Sequence, residues 1–208
     1  MDKLEYERKY LSKGYKYIAG VDEVGRGPLA GPVVCCAVIM PLDDIIDGID
    51  DSKKLSEKKR QSLAEIIKQK AIAYHIEEIS QQEIDQINIL NAVKKCMFNA
   101  VDKLSVKPDI TLVDGNDIGL NLQAEYLVKG DLRSYTIGCA SIVAKVYRDN
   151  LMVQLSKEYP DYLFEKHKGY GTKVHIDKIK EIGPCNLHRK TFIKNFWVEQ
   201  ENKKLQNI

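Results

Sequence analysis

The feature that most constrains this chain is a pair of adjacent acids, Asp22 and Glu23, between a short apolar run and a glycine-rich turn. Burying two carboxylates beside apolar residues is costly unless cations or hydrogen-bond donors neutralise them. The glycines that follow, Gly25 and Gly27, let the backbone approach a ligand closely. Acids that can hold a metal, beside bare amides that can contact a phosphate or a sugar, indicate phosphodiester chemistry.

The size and charge of the chain are those of an ordinary globular domain. Its 208 residues, 44% of them hydrophobic and 30% charged, are enough to bury one proper core. A net charge of +2 argues against a globally basic nucleic-acid coat but allows a local basic patch. Residues 1–16 lack the apolar core of a secretion signal, and no apolar run reaches the roughly 18–20 residues that span a bilayer. We expect a single soluble domain over residues 1–208, cytoplasmic and without a membrane partner.

The cysteines favour a reducing compartment over a disulfide framework. They are odd in number and include no Cys-x-x-Cys pair: Cys35, Cys36, Cys96, Cys139 and Cys185. Cys185 and His188 have half of a zinc-like spacing, with no matching second half. The expectation is therefore reduced, buried thiols in a cytosolic protein.

Hydrophobic periodicity predicts alternating strands and helices. Strands are expected at residues 17–21, 33–40, 71–79, 110–113 and 124–128. Helices are expected at 57–70 with Ser56 as the cap, from a capping box at Ser80 to about 104, at 137–158, from Thr172 to Gly183, and from about Lys194. The early strands should pair as a hairpin and the later ones alternate with helices, which predicts an α/β fold with a mixed sheet.

Acidic residues follow three of the predicted strands. Asp22–Glu23, Asp114 and Asp131 each stand just beyond an apolar strand and beside a glycine. Any single one is explained by the preference of aspartate for turns, but together they favour a shared cluster at the sheet edge where ligands bind. Hard carboxylate ligands suit Mg²⁺ or Mn²⁺ rather than zinc. Because neighbours in a strand face opposite ways, we expect the chain to bend near Glu23.

The glycine loop also fits a dinucleotide-binding fingerprint, with Gly25, Gly27 and Ala30 at the required spacing. That alternative, a nicotinamide-dependent oxidoreductase, requires a helix over residues 33–40. Pro32 and the β-branched run that follows it disfavour such a helix.

A basic segment lies late in the chain. Residues 166–190 contain seven Lys or Arg against two acids, a local net charge of +5. Within it, residues 166–171 are predicted to form a loop in which an aromatic side chain, Tyr170, lies among cations, a pattern that suits a sugar-phosphate strand. Lys53 and Lys54 are further candidates for phosphate contacts, whereas His75 in the third strand is interpreted as structural.

Taken together, the motifs resemble those of type 2 ribonucleases H, specifically bacterial ribonuclease HII. They span almost the whole chain in the family's order, at residues 22–32, 51–56, 114–116, 129–131, 140–145, 148–149 and 167–170. The resemblance implies a ribonuclease H-like fold, with a mixed five-stranded sheet flanked by helices and a small helical C-terminal extension. Residues from about 160 onward would form a substrate-binding part of the catalytic domain.

The resemblance also implies an activity. The protein would hydrolyse the RNA strand of RNA/DNA hybrids and incise 5′ of single ribonucleotides in duplex DNA, leaving a 3′-hydroxyl and a 5′-phosphate. Its catalytic carboxylates, holding Mg²⁺ or Mn²⁺, would be Asp22, Glu23, Asp114 and Asp131. The ribose 2′-hydroxyl would be sensed by Gly25, Arg26 and Gly27. Tyr170 would stack on the adjoining deoxyribose, and the other substrate-binding residues would be Ser52, Lys53, Lys54, Lys145, His167 and Lys168.

Further features of the sequence concern the subtype, the partners and an alternative function. Type 3 relatives carry a lysine where Arg26 stands and add an N-terminal domain, so Arg26 favours type 2. The tail at residues 199–208 has no clear sliding-clamp-binding pattern, and we expect a monomer. A hybrid-binding protein without catalysis is the alternative from the binding class, and the intact set of four acids argues against it.

Overall fold

The fold is built on a mixed sheet in which the early strands pair antiparallel and the later ones pair parallel. The computed structural model describes residues 2–50, 52 and 54–205, with side chains up to Trp197. In that part of the chain the strands are β1 (Ile18–Val24), β2 (Val33–Ile39), β3 (Ala73–Ile79), β4 (Ile110–Asp114) and β5 (Ala124–Leu127). They form one five-stranded sheet in the order β3-β2-β1-β4-β5. The predicted mixed sheet and the hairpin of the first two strands are confirmed.

Helices surround this sheet. They are α1 (Glu5–Leu11), α2 (Glu57–Lys70), α3 (Gln81–Asp102), α4 (Gly130–Arg133), α5 (Tyr135–Ser156), α6 (Phe164–His167), α7 (Lys173–Ile182) and α8 (Lys190–Leu205). Ser56, Ser80 and Thr172 cap α2, α3 and α7 with their side-chain oxygens, as predicted. No helix in the described residues is both long and apolar enough to cross a lipid bilayer.

Strand β2 shows why the sheet forms where it does. All seven of its residues are buried, because its side chains alternate between two hydrophobic cores. Cys35 and Ile39 pack against α3 on one face, and Cys36 and Val38 pack with residues of α2 and α5 on the other. A strand covered on both faces reads as a continuous apolar run. Since β2 is a strand, the helix required by the dinucleotide-binding alternative does not exist, and that alternative is wrong.

The direction of the strands determines where the acidic residues meet. β1 pairs parallel with β4, and β4 pairs parallel with β5. Their carboxyl ends therefore lie at one edge of the sheet. Val21 is in register with Val113, so Asp22 and Asp114 follow at adjacent positions of neighbouring strands.

Some predicted boundaries are wrong. β1 remains paired through Val24, so Asp22 and Glu23 lie within the strand rather than beyond it, and the turn comes at Gly25 instead of near Glu23. Helix α3 is interrupted at Asn88, which adopts a left-handed φ of 67°. The Asn88 side chain accepts a hydrogen bond from the Asn91 amide and so caps the second half of the helix. Helix α8 begins at Lys190 rather than at Lys194.

Short helices were not predicted from the sequence. α4 carries Asp131, and α6 ends at His167, so the segment predicted as a loop at 166–171 is a helix end followed by a turn. Helices of four residues leave too little periodicity to detect.

The C-terminal helices pack against the loop that follows β1. Ala30 of that loop is buried with Phe164, Ile179 and Leu187, and it also forms an isolated bridge with His188. The small helical C-terminal extension is therefore in contact with the glycine-rich segment.

The cysteines are free thiols, as predicted. Cys35, Cys36, Cys96 and Cys139 are buried and Cys185 is half-buried. The Cys185 thiol lies 3.3 Å from Nδ1 of His188. Among the described residues, neither of the two belongs to a group that could hold a metal ion.

Candidate active site

Three carboxylates converge at the carboxyl end of the parallel strands. One oxygen from each of Asp22, Glu23 and Asp114 lies within 4.8 Å of the other two. Asp22 is almost fully buried, and the Glu23 side chain is 17% exposed. The structure therefore brings Asp22 and Glu23 close to Asp114, as the sequence predicted.

Burial and the repulsion between neighbouring carboxylates raise the pKa of Asp22 and of Glu23. Burial, together with the carboxylates of Glu23 and Asp114, raises the pKa of Asp22 well above its ordinary range. Burial and Asp114 also raise the pKa of Glu23, to about 7, although the Arg26 guanidinium at 3.7 Å opposes this shift. Such a cluster is electrostatically costly on its own and needs a positive charge.

Asp131 lies near the three clustered carboxylates but on a different element, helix α4. The Asp114 carboxylate accepts hydrogen bonds from the backbone amides of Gly130 at 2.6 Å and Asp131 at 3.4 Å. These bonds attach the start of α4 to the end of β4. Asp131 lines the same cavity as the three clustered acids, although it is not one of the carboxylates grouped within 4.8 Å.

The acids line a cavity of about 450 Å³. Its lining residues are Asp22, Glu23, Val24, Ser52, Asp114, Asp131, Ser141, Lys145 and Tyr170. All four predicted catalytic acids, together with predicted substrate-binding residues Ser52, Lys145 and Tyr170, are thus brought together.

Ser141 is a site residue to which the sequence analysis gave no role. Its hydroxyl donates a hydrogen bond to Asp22, and Ser52 lies 3.1 Å away as a further hydroxyl partner. Ser141 and Lys145 stand one helical turn apart on α5, and Lys145 pairs with Asp149 at 2.8 Å. The i, i+4 spacing of Ser141 and Lys145 was the available sequence signal for a role of Ser141, because it places both side chains on one face of the helix.

In the described part of the chain, the remaining predicted substrate-binding residues are not among those that line the cavity. Arg26 is half-exposed beside Glu23, and Gly27 is exposed. Lys54 is exposed and does not line the cavity, whereas Lys53 lies outside the described residues. Gly25 forms the turn at the end of β1.

His167 and Lys168 stabilise the turn that carries Tyr170. Both ring nitrogens of His167 are engaged by backbone groups, Nε2 at 2.8 Å from the Tyr162 carbonyl and Nδ1 at 3.3 Å from the Gly169 amide. Lys168 donates to the Glu165 carbonyl. Tyr170 itself is 40% exposed at the rim of the cavity. In this structure the first two hold the turn, and Tyr170 is the exposed side chain that lines the cavity.

The donor set fits a divalent cation. Three carboxylates on two neighbouring strands supply only oxygen ligands, which suits Mg²⁺ or Mn²⁺. Burial and neighbouring carboxylates raise the pKa of Asp22 and of Glu23, so a bound cation would stabilise their deprotonated forms. Asp22, Glu23 and Asp114 are therefore the residues that could hold such an ion.

Magnesium is expected to stabilise the folded protein more at pH 8 than at pH 5.5. The folded pKa of Glu23, about 7, lies above its usual 4.5, so without metal its contribution is favourable below pH 4.5 and is lost as the pH rises past 7. That loss is on the order of 3 kcal/mol, and a cation that binds the deprotonated cluster offsets it. Thermal unfolding with and without 10 mM Mg²⁺, roughly a saturating concentration for a weak site, measures the effect. Glu23→Gln should reduce the pH dependence, and an equal gain at both pH values in the wild type would contradict this assignment.

Comparison with known proteins places the chain in a family. Residues 19–199 match the family model described as Ribonuclease HII. Ribonuclease HII of Caldicellulosiruptor saccharolyticus is 55% identical over 192 residues, which cover 92% of this chain and 94% of that relative.

Solved structures agree in fold. Ribonuclease H2 from Pyrococcus horikoshii OT3 superposes with a TM-score of 0.77 at 23% identity, over 89% of this chain and 99% of that one. Bst-RNase HIII, solved in complex with Mn²⁺, has a TM-score of 0.64 at 16% identity over 88% of this chain and 64% of that one.

The fold, the acidic cavity and these matches define a nuclease of the ribonuclease H class, an enzyme that hydrolyses phosphodiester bonds. Enzymes of this class act on the RNA of RNA/DNA hybrids and need divalent metal ions. The chain belongs to the ribonuclease HII family, because the family model covers most of its length and a relative shares over half of its aligned residues.

Proposed function

We propose that this ribonuclease H incises 5′ of single ribonucleotides embedded in duplex DNA, besides hydrolysing the RNA of hybrids, and leaves 3′-hydroxyl and 5′-phosphate ends. The observation that supports it is the convergence of Asp22, Glu23 and Asp114 in a cavity whose rim carries Tyr170. A cluster of carboxylates could act on any phosphodiester and does not by itself select a substrate. An aromatic ring at the rim adds a surface for one sugar or base next to the bond to be cleaved.

We assign Asp22, Glu23 and Asp114 as ligands of Mg²⁺ or Mn²⁺, with Asp131 as a fourth ligand or a water-positioning group. A bound ion would supply activation of the attacking water and stabilisation of the leaving oxygen. Ser141 orients Asp22 by hydrogen bonding, and the amides of Gly130 and Asp131 orient Asp114. These bonds hold the carboxylates in place before any substrate arrives.

Recognition of the ribonucleotide would come from two segments. The Gly25–Gly27 element lies at the end of β1, where its backbone can reach the 2′-hydroxyl that distinguishes RNA from DNA. Tyr170 would stack on the deoxyribose that follows. The region from about residue 160 onward, together with Ser52, Lys53, Lys54 and Lys145, would bind the flanking phosphates. We further propose that the protein acts as a monomer in the cytoplasm.

A nicking assay tests the proposal directly. The substrate is a labelled DNA duplex that contains one ribonucleotide, incubated with the protein and Mg²⁺ or Mn²⁺. The expected result is cleavage on the 5′ side of the ribonucleotide. The product ends should be a 3′-hydroxyl and a 5′-phosphate, which a ligase can join directly. Cleavage of long hybrids with no cleavage of the single-ribonucleotide duplex would remove the finer claim. Tight binding without cleavage of either substrate would favour the binding-protein alternative.

Replacing Tyr170 by alanine should weaken incision at a lone ribonucleotide about 10-fold or more, and hydrolysis of a long hybrid much less. The reason is that a lone ribonucleotide has a single productive position, whereas a long hybrid offers many. Relative kcat/KM on the two substrates is the measurement. Tyr74→Ala is a matched control, because Tyr74 is similarly exposed, 41% against 40%, but lies on strand β3 away from the cavity. Equal losses on both substrates would contradict the junction role.

A further inference from the structure

Two arginines are completely buried behind the glycine-rich loop. Arg148 on α5 and Arg189 just before α8 are both 0% exposed. Within the described part of the chain, neither forms an ion pair with a carboxylate. A buried charge without a counter-ion is strongly unfavourable unless hydrogen bonds satisfy it. The groups that accept hydrogen bonds from these two guanidinium ions therefore indicate the function of the buried charges.

Arg148 connects two separate loops. Its guanidinium donates to the carbonyls of Pro32 at 3.0 Å and Ala30 at 3.1 Å, in the loop after β1. Its third bond, at 2.9 Å, goes to the carbonyl of Lys168, two residues before Tyr170. The guanidinium also lies 5.9 Å from the centre of the Tyr170 ring. One side chain thus links the loop after β1 to the turn that presents the tyrosine.

Arg189 holds the other end of the same loop. It donates to the carbonyls of Gly25 at 2.6 Å, Arg26 at 3.0 Å and Gly31 at 3.0 Å. All three acceptors are backbone atoms of the glycine-rich loop. These three carbonyls therefore point inward to Arg189, which leaves other backbone groups of the loop for a ligand.

Gly25 is shaped by this arrangement. It has a φ of 89°, and a Cβ atom there would lie 2.1 Å from Nε of Arg148. Only glycine permits the guanidinium to approach the backbone this closely. The glycine and the buried arginine form one unit, although they are 123 positions apart in the chain, the difference between 148 and 25.

Both side chains remain charged at neutral pH. Burial lowers the pKa of Arg148 to about 10 and that of Arg189 to about 9, still above 7. The two positive charges sit beneath the surface that would face an anionic strand, and in a low dielectric their field is weakly screened.

We infer that Arg148 and Arg189 are positioning residues for ribonucleotide recognition, which fix the Gly25–Gly27 element and Tyr170 at a set distance from each other. This inference rests on the proposed function, because it assigns to the arginines the alignment of the two recognition segments. Discrimination between a lone ribonucleotide and a long hybrid depends on both segments engaging the same junction at once. A shift of either segment therefore lowers the selectivity for a lone ribonucleotide more than it lowers the rate of hydrolysis at the acids.

The test uses Arg148→Lys and Arg189→Lys, which keep the positive charge but lose the planar set of donors. We expect kcat/KM at a lone ribonucleotide to fall about 100-fold and that on a long hybrid about 10-fold, since misplacement by about 1 Å has effects of this size. The selectivity ratio then falls about 10-fold. Amide hydrogen exchange at Leu29 and Gly31, whose N–H groups bond to the carbonyls of Gly169 and Leu187, should become faster.

Ile67→Val is the matched control. Ile67 is buried in the core between α2 and α5 and touches neither loop, so the variant loses stability without moving the recognition segments. It should leave the selectivity ratio and the two amides as in the wild type. If one arginine variant does not fold, the other decides, because both hold the same loop. A ratio within about 2-fold of the wild type in a folded arginine variant overturns the inference.

The outcome is separable from failure of the proposed function. If Tyr170→Ala changes the ratio but neither arginine variant does, the positioning role is wrong and the junction role stands. If the wild type shows no cleavage at lone ribonucleotides, the proposed function itself fails. In that case the recognition role of the arginines would be refuted as well. Faster exchange at the Leu29 and Gly31 amides in the arginine variants would still show that the arginines hold the loop.

Discussion

Asp114→Asn is expected to lower metal-dependent cleavage by about 10³-fold while the protein stays folded and still binds a hybrid. Asparagine keeps the shape of the side chain, and its carbonyl oxygen can still accept the bond from the Gly130 amide. What it loses is the negative charge beside Asp22 and Glu23 that would attract the cation. Because it also removes a repulsion that raises the pKa of both neighbours, the metal-free variant should be at least as thermally stable as the wild type.

The measurements are cleavage rate, hybrid binding by fluorescence anisotropy, and thermal unfolding without metal. Asp117→Asn is the matched control, since Asp117 is an exposed aspartate three positions further on that does not line the cavity. It should cleave at the wild-type rate. Normal cleavage by Asp114→Asn would show that the acidic cluster is not the catalytic centre, whereas loss of folding would show that its role is structural.

Gly20→Ala should destabilise the fold by about 3 kcal/mol or more, a large cost for a single methyl group. Gly20 lies in the middle of β1, where α5 passes unusually close. A Cβ atom at this position would be 2.3 Å from the carbonyl carbon of Thr136 and 2.4 Å from the amide nitrogen of Ile137. Both are backbone atoms, so no side-chain rotation relieves the overlap, and the helix must move away from the strand.

Thermal unfolding measures this prediction, with an expected fall in Tm of about 6–12 °C or a failure to fold. Gly27→Ala is the control for stability, because a Cβ atom there would have no other atom within 4 Å. Its Tm should match that of the wild type. A small change for Gly20→Ala would mean that α5 does not pack against β1 at the distance described.

Local sequence patterns were sufficient for much of the secondary structure. Helix α2 has the predicted bounds, Glu57–Lys70, because its cap and its periodicity are both encoded within a few residues. Asp22, Glu23, Asp114 and Asp131 were predicted to meet at one edge of the sheet. The first three carboxylates lie within 4.8 Å of one another, whereas Asp131 lines the same cavity outside that group. The interruption of α3 at Asn88 escaped prediction, since the apolar periodicity continues on both sides of it.

The sequence by itself determined the alternation of strands and helices and the identity of the acids that gather at one edge of the sheet. These follow from hydrophobic period, capping residues and the shared direction of parallel strands, all of which are short-range or purely topological. Only the tertiary structure decided that Ser141 bonds Asp22 and that Arg148 and Arg189 bond the carbonyls of a distant loop. The physical reason is that a buried charge is satisfied by whichever backbone groups long-range packing places around it, and no local pattern records that choice.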